Sequence, residues 1–241
     1  INNLPLQTNS IADVVLNEFK LPYNISLTYY NDIPPGSGLG SSSSFIVLLL
    51  TLLYELQGIV KSDEDIVKEA YKIDNKLKEG GWQDQYATAI GGFNFMEFGE
   101  KTLVYPLRLR YRLLQELSEQ LLLVYIGGSK ENNDIHKELR KYQQENKEEL
   151  KKTIKIKDLA YRMRDALLNQ RLNDIPKILN ENWELKRNQF TSNTRLDFIY
   201  SLATDNGAEG GKLCGSGQAG HFLFFVKPEN RQKLISALKD Y

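Results

Sequence analysis

The chain has 241 residues, 41% of them hydrophobic and 26% charged, and its 31 Lys and Arg balance 31 Asp and Glu. A chain of that size buries roughly 70–75% of its unfolded surface, so it needs no disulfide or structural metal and suits one large or two smaller domains. Zero net charge argues against a generally basic nucleic-acid or membrane-surface binder, the lone Cys214 excludes an internal disulfide and points to a reducing, cytoplasmic setting, and the most apolar run, Phe45–Tyr54, is about half the ~20 residues of a membrane span.

In chain order, Ile11, Val14, Val15 and Phe19 make a helical stripe within Ser10–Lys20, and Ile25, Leu27 and Tyr29 alternate as in a strand over Tyr23–Tyr30. That strand runs into Pro34-Pro35-Gly36-Ser37-Gly38-Leu39-Gly40, which cannot hold regular structure. Ser41–Leu56 follows with helical length and an apolar surface nearly all round, as expected of a helix lying under a sheet. Ser62 and Asp65 have capping-box spacing, and Ile66, Ala70, Ile73 and Leu77 carry the helix they open until Gly80-Gly81. From Gln85 to Leu107 the β-favouring residues and Gly91-Gly92 predict a bent hairpin with Phe93, Phe95 and Phe98 in its core. A domain boundary is expected near residue 110, giving domains over 1–110 and 111–241. Beyond it come a strand over Gln120–Ile126, mostly helical pattern from Asn132 to about Asp205, a glycine loop, a strand over Phe222–Val226 and a last helix opened by Pro228, an α+β order.

The segment Pro35–Ser43 carries the strongest chemical signal. Its glycines let the main chain approach a ligand, and its serines occupy the first turn of a helix, where free N–H groups and the positive dipole end favour phosphate. No Gly-Lys-Ser/Thr triplet follows, which excludes an ordinary P-loop. Gly215, Gly217 and Gly220 satisfy Gly-x-Gly-x-x-Gly, but they run into the β-like His221–Val226 rather than a helix, so a dinucleotide fingerprint is rejected. Cys214 has no neighbouring acid or base to make it a nucleophile, and His136 and His221 lack metal-ligand company. Arg108, Arg110 and Arg112 alternate so that a strand would point all three one way, toward a substrate phosphate or, more commonly, along an exposed charged edge. Lys141–Lys157 mixes signs at helical spacing and reads as a solvated face.

Pro35-Gly36-Ser37-Gly38-Leu39-Gly40-Ser41-Ser42-Ser43 resembles the phosphate-binding motif of the galactokinase, homoserine kinase, mevalonate kinase and phosphomevalonate kinase (GHMP) superfamily. Gly81-Trp82-Gln83-Asp84-Gln85-Tyr86, followed by Gly91-Gly92-Phe93-Asn94-Phe95, is similar to the aspartate segment of its sugar 1-kinases, those acting on D-glycero-D-manno-heptose 7-phosphate in particular. Gly211-Lys212-Leu213-Cys214-Gly215-Ser216-Gly217-Gln218-Ala219-Gly220 stands where that family keeps its C-terminal glycine motif, with departures at Ser216, Gln218 and Ala219.

The resemblance implies a two-domain α/β (α+β) kinase, with an N-terminal phosphate-binding half containing a left-handed βαβ unit and a ferredoxin-like C-terminal half. It implies transfer of the γ-phosphoryl of MgATP to the anomeric hydroxyl of a sugar, heptose 7-phosphate going to the 1,7-bisphosphate. Such transfer asks for a phosphate cradle, a magnesium ligand set and one carboxylate near the acceptor. ATP would be held by Pro35, Gly36, Ser37, Gly38, Leu39, Gly40, Ser41, Ser42 and Ser43, with Gly215 and Gly217, and magnesium by the Ser42 hydroxyl with Ser43 as fallback. Asp74 matches the position of the second metal ligand, with Glu69 one turn earlier as the alternative. Asp84 would take or orient the sugar hydroxyl proton, its competing reading being a helix cap. Gln83, Gln85 and Lys130 would face the sugar.

The partner implied is a small sugar phosphate, with no role for nucleic acid or a membrane. The family's N-terminal strand and glycine-rich turn are not found upstream of the serine loop, so weak or no catalysis is expected if Ile1 is the true start. A regulator that keeps the kinase fold and binds nucleotide or sugar without turnover is the rival reading.

Overall fold

The computed structural model describes residues 11–19, 21, 24–34, 36–77, 80–127, 141–142, 144–187 and 191–241. The chain divides into two compact units, one made of 1–34 and 40–106 and the other of 35–39 and 107–241.

The first unit is organised around α2 (Ser41–Leu56), which buries Ile46, Val47, Leu49, Leu50 and Leu53 against Val15 of α1 (Ile11–Glu18) and Ile66, Ala70 and Ile73 of α3 (Asp63–Leu77). Each fully buried aliphatic side chain of this kind contributes about 1.5–3 kcal/mol. Among the described residues no sheet lies over α2, against the expectation: helices α1 and α3 and the extended residues Ile25 and Leu27 pack on its core side, while Leu48 is 56% and Leu52 42% exposed. The expected strand over Tyr23–Tyr30 is also absent among its described residues. Ile25 and Leu27 pack on the core as the alternation requires, but no described strand lies alongside to exchange hydrogen bonds. The described residues of this unit hold no parallel strand pair through which the hand of a βαβ unit would show.

Helix α3 starts as read. The Ser62 hydroxyl accepts from the Asp65 N–H at 3.2 Å and donates to its carboxylate at 2.7 Å. The hairpin reading of Gln85–Leu107 is half right. Its first part is a helix, α4 (Gln83–Ile90), closed at Gly91 with a positive φ of +69°. Only β1 (Asn94–Glu97) and β2 (Leu103–Pro106) form the antiparallel pair. Of the three expected core phenylalanines, Phe95 is buried, while Phe93 and Phe98 are exposed.

The second unit is a three-stranded antiparallel sheet of order β3 (Leu121–Tyr125), β5 (His221–Val226), β4 (Ala208–Leu213). Strands β3 and β4 are parallel to one another with β5 between them, the split βαβ arrangement of ferredoxin-like folds. Its described helices include α5 (Tyr111–Gln120), α6 (Lys147–Leu168), α7 (Ile175–Lys186), α8 (Thr194–Asp205) and α9 (Pro228–Leu238). Phe222, Phe224 and Val226 of the central strand join Trp183, Leu196 and Ile199 in one core cluster, with Trp183 edge-on to Phe222 at 5.3 Å.

Strand β4 replaces the first part of the expected glycine loop. A Cβ on Gly210 would lie 2.2 Å from the Pro176 carbonyl oxygen, and one on Gly211 2.4 Å from the Phe224 ring, so these glycines mark close packing within a strand. The Arg108, Arg110 and Arg112 series is likewise not on a strand. Arg110 precedes α5, and Arg112 lies within it, paired with Glu116 at 2.9 Å.

Candidate active site

In the first unit the site begins where Gly40 ends the loop. Gly40 has φ +74° and serves as N-cap of α2, offering no side chain to the helix start, and no acid stands in the first turn. The positive end of a 16-residue helix therefore carries serine hydroxyls and no acid of its own first turn. Below those serines lies Asp74 of α3, only 5% exposed. Its Oδ2 accepts from the Ser43 hydroxyl at 2.5 Å and from Gln85 Nε2 at 2.8 Å, while its Oδ1 accepts from the Ser42 hydroxyl at 3.4 Å. Oδ2 is thus tightly satisfied, and the loose contact is the one between Ser42 and Oδ1.

Two hard oxygens side by side suit magnesium, which takes one or two protein ligands and completes its shell with water and phosphate oxygens. Ser42 and Asp74 fit that role. Glu69, the alternative ligand, accepts from the Tyr54 hydroxyl at 2.6 Å. Burial and that bond push Tyr54 up to about 12, so it stays a donor.

Asp84, in the first turn of α4, is half-buried against the loop end. A Cβ on Gly40 would stand 3.2 Å from Asp84 Cγ and 3.4 Å from Oδ2. Helix α4 is seated there by Thr88, whose hydroxyl donates to the Asp84 carbonyl at 2.8 Å and meets the Ser44 hydroxyl at 3.0 Å. Asp74, Ser42, Ser43 and Asp84 therefore belong to one constellation, although they span 43 positions of sequence.

Gln85 needs correction as a sugar-facing residue. It is 2% exposed, and its amide serves Asp74 and Ser43, at 2.8 and 3.2 Å from Nε2, leaving Oε1 buried without a hydrogen-bond partner. Gln83 is exposed, with Oε1 folded over Gly81, where a Cβ would stand 2.2 Å away. Lys130 and Pro35 lie outside the described residues.

In the second unit the segment 36–39 is clasped by the turn 214–220. Gly36 and Gly38 have φ +73° and +72°. A Cβ on Gly38 would lie 3.0 Å from the Cys214 oxygen, one on Gly215 2.7 Å from Gly38 Cα, and one on Gly220 2.5 Å from the Ser37 oxygen. Gly217 meets Thr191 in the same way, at 2.7 Å. Gly215 and Gly217 are thus required as glycines by contacts within the chain itself. His221 Nδ1 lies 2.8 Å from the Ser37 carbonyl oxygen, a hydrogen bond across 184 positions. Burial pushes the Cys214 thiol up, in keeping with its lack of an activating base.

Ser44, Thr88, Lys186 and His221 carry this framework and are not singled out for such roles by the sequence. For Thr88 a weak signal exists, its i+4 spacing from Asp84. Among the described residues no cluster of three or more His, Cys, Asp and Glu could hold a metal, and no described helix is long and apolar enough to cross a membrane.

The GHMP kinase N-terminal domain family matches residues 5–92 and the GHMP kinase C-terminal family matches residues 163–241. D-glycero-alpha-D-manno-heptose 7-phosphate kinase of Campylobacter jejuni is 36% identical over 237 residues, covering 95% of this chain and 70% of that protein. A crystal structure of a putative sugar kinase from the same organism superposes with TM-score 0.66 at 33% identity, over 87% of this chain and 60% of the other. A D-glycero-D-manno-heptose 1-phosphate kinase from Bacteriodes thetaiotaomicron gives TM-score 0.67 at 31% identity, over 88% and 60%. The chain therefore spans 60% of the length of each of these solved chains. With both domain families matched in order and a relative of this identity covering most of the sequence, the chain belongs to the GHMP kinase family.

Proposed function

We propose that this protein transfers the γ-phosphoryl group of MgATP to the anomeric hydroxyl of a sugar, with D-glycero-D-manno-heptose 7-phosphate as acceptor and the 1,7-bisphosphate as product. Residues 1–110 form its phosphate-binding half and 111–241 its C-terminal half. The acceptor is supported by the heptose 7-phosphate kinase named above. The observation that carries the reaction class is the carboxylate of Asp84 set against Gly40, at the head of a serine-bearing helix whose Ser42 and Ser43 hold Asp74.

Main-chain N–H groups of Gly38–Ser42 hold the nucleotide phosphates, and Ser41–Ser43 place them at the positive end of α2. The Ser42 hydroxyl and the Asp74 carboxylate would hold magnesium, which would neutralise the charge of the phosphates. Gln85 and Ser43 fix the Asp74 carboxylate so that Oδ1 keeps its aim. The sugar enters with its anomeric hydroxyl on the Asp84 carboxylate, which orients it and accepts its proton as the new oxygen–phosphorus bond forms and the bond to ADP breaks. Gln83 and Lys130 contact the sugar.

Incubation with MgATP and a panel of sugars and sugar 7-phosphates, followed by phosphorus NMR, tests the reading. A new anomeric phosphate signal is expected with the heptose, and Asp84→Asn should lower kcat by about 10²–10⁴-fold while leaving ATP affinity in place. ATP binding with no consumption by any sugar would favour the non-catalytic regulator. Unchanged turnover in the Asn variant would remove Asp84 from the chemistry.

A further inference from the structure

Among the described residues strand β4 lies at the edge of its sheet, where outward N–H and C=O groups need partners other than another strand. Helix α7 supplies them. The Asn180 amide accepts from the Gly211 N–H at 3.0 Å and donates to the Glu209 carbonyl at 3.0 Å, while accepting also from the Tyr200 hydroxyl. At the helix end the Lys186 ammonium donates to the carbonyl oxygens of Leu213 at 3.4 Å and Gly215 at 2.5 Å. The Lys186 carbonyl in turn accepts from the Thr191 hydroxyl at 2.6 Å, and the Thr191 carbonyl accepts from the Gln218 N–H at 3.0 Å. Lys186 thus touches the start of the turn that clasps Ser37 and Gly38 directly, and its far part at Gln218 through Thr191.

We propose that Lys186 is a positioning residue for the phosphate loop: its ammonium fixes the turn 214–220 in the shape that holds Ser37–Leu39. The inference deepens the kinase reading and rests on it, because the segment being held is the one assigned to the nucleotide phosphates.

Stability alone does not account for a lysine here. Burial, with Lys212 nearby and against a smaller opposing effect of Cys214, pushes Lys186 down to about 8, so its charge is held where charge is unfavourable. No carboxylate pairs with it among the described ion pairs, and the acid and base beside it on its own helix end, Glu184 and Arg187, pair with each other at 2.8 Å. A methionine would fill the same space without that penalty. What it would lose is the link between Leu213 and Gly215. Gly215 is the residue whose Cα–H side faces Gly38, so a shift there is passed directly to the loop.

The test compares the full chain with Lys186→Met, Lys186→Gln and Lys186→Arg by hydrogen–deuterium exchange of the 213–221 peptide, thermal unfolding, and calorimetric MgATP binding. Lys186→Met is expected to exchange this peptide about tenfold faster and to weaken MgATP about tenfold, the loss of charge-assisted hydrogen bonds, without lowering the melting temperature. Lys186→Arg should restore most of both. A merely structural lysine would instead lower the melting temperature and leave MgATP affinity unchanged in the folded variant, and that result overturns the proposal, as does unchanged exchange. Should the Met variant fail to fold, faster exchange in the Gln variant than in the Arg variant is expected, and equal rates overturn it. Faster exchange with unchanged MgATP affinity would uphold the hold on the turn and overturn the assignment of that turn to the phosphates.

Discussion

The start of α2 and the turn 214–220 are both glycine- and serine-rich, yet different forces hold them. At α2 the arrangement is made of side chains: Ser42, Ser43 and Gln85 converge on one buried carboxylate. In the turn it is mostly made of main chain meeting main chain, at distances that leave no room for a methyl group. A side-chain network loses its members one at a time, with graded effects. A backbone clasp fails at the first added carbon, because neither partner can rotate away.

Gly220→Ala is the strongest way to break the second arrangement. The new Cβ would meet the Ser37 oxygen at 2.5 Å and its carbon at 2.8 Å, at φ +102°. Steric overlap and left-handed strain together should cost about 3 kcal/mol or more. Gly58→Ala sharpens the point, since Gly58 has φ +69° but nothing within 4 Å of the added carbon, and should cost about 1 kcal/mol. Melting temperatures of the two variants decide it: equal losses would show that the clasp adds nothing beyond glycine conformation.

Gln85→Leu edits the first arrangement and should cost about 1–2 kcal/mol. The loss of the 2.8 Å bond to Asp74 is partly offset because the orphaned Oε1 disappears with it. MgATP affinity should fall with the aim of Asp74, whereas a variant with lower stability and unchanged magnesium dependence would confine Gln85 to packing.

Much of this contrast was written in residue types. The serine loop and the Ser62 cap follow from spacing, whereas the placing of Asp74 near Ser42 is what the family resemblance implied. Gln85 shows where spacing stops. Neighbours on a helix point about 100° apart, so when Asp84 faces Gly40 its amide neighbour turns into the core. Reading α4 as a hairpin hid that difference, and Tyr86, Thr88 and Ile90 encouraged it by their β-favouring shapes, while the packing of Tyr86 and Gln85 selects the helix. Of the alternation over Tyr23–Tyr30, Ile25 and Leu27 face the core as read while Tyr29 is exposed, and spacing could not name a strand partner. In β4, Gly210 and Gly211 looked like turn residues because the Pro176 and Phe224 atoms that exclude a side chain come from other elements. Lys186 and His221 belong to the same class, since their partners are carbonyl oxygens, which composition does not reveal.

The smallest expected effect separates the two forces by pH. Native Lys186 releases its proton near 8, against 10.5 for an ordinary lysine, so from about 8 to 10.5 the unfolded chain holds a proton the folded chain has lost. Through this residue stability therefore rises with pH across that window. Cys214 acts oppositely, since its thiol is raised above 9.0 mainly by burial, with Lys186 among the charges that lower it. Tyr54 and Tyr200, both raised to about 12 chiefly by burial, lose their contribution only from about 10 upward. Urea unfolding of Cys214→Ala and of Cys214→Ala/Lys186→Met, followed by far-ultraviolet circular dichroism between pH 7 and 10, isolates the lysine. The single variant should gain on the double variant as pH rises through 8, because removing the charge relieves a penalty that methionine never carries. Parallel curves would mean that water reaches the ammonium freely and that its charge carries no burial penalty.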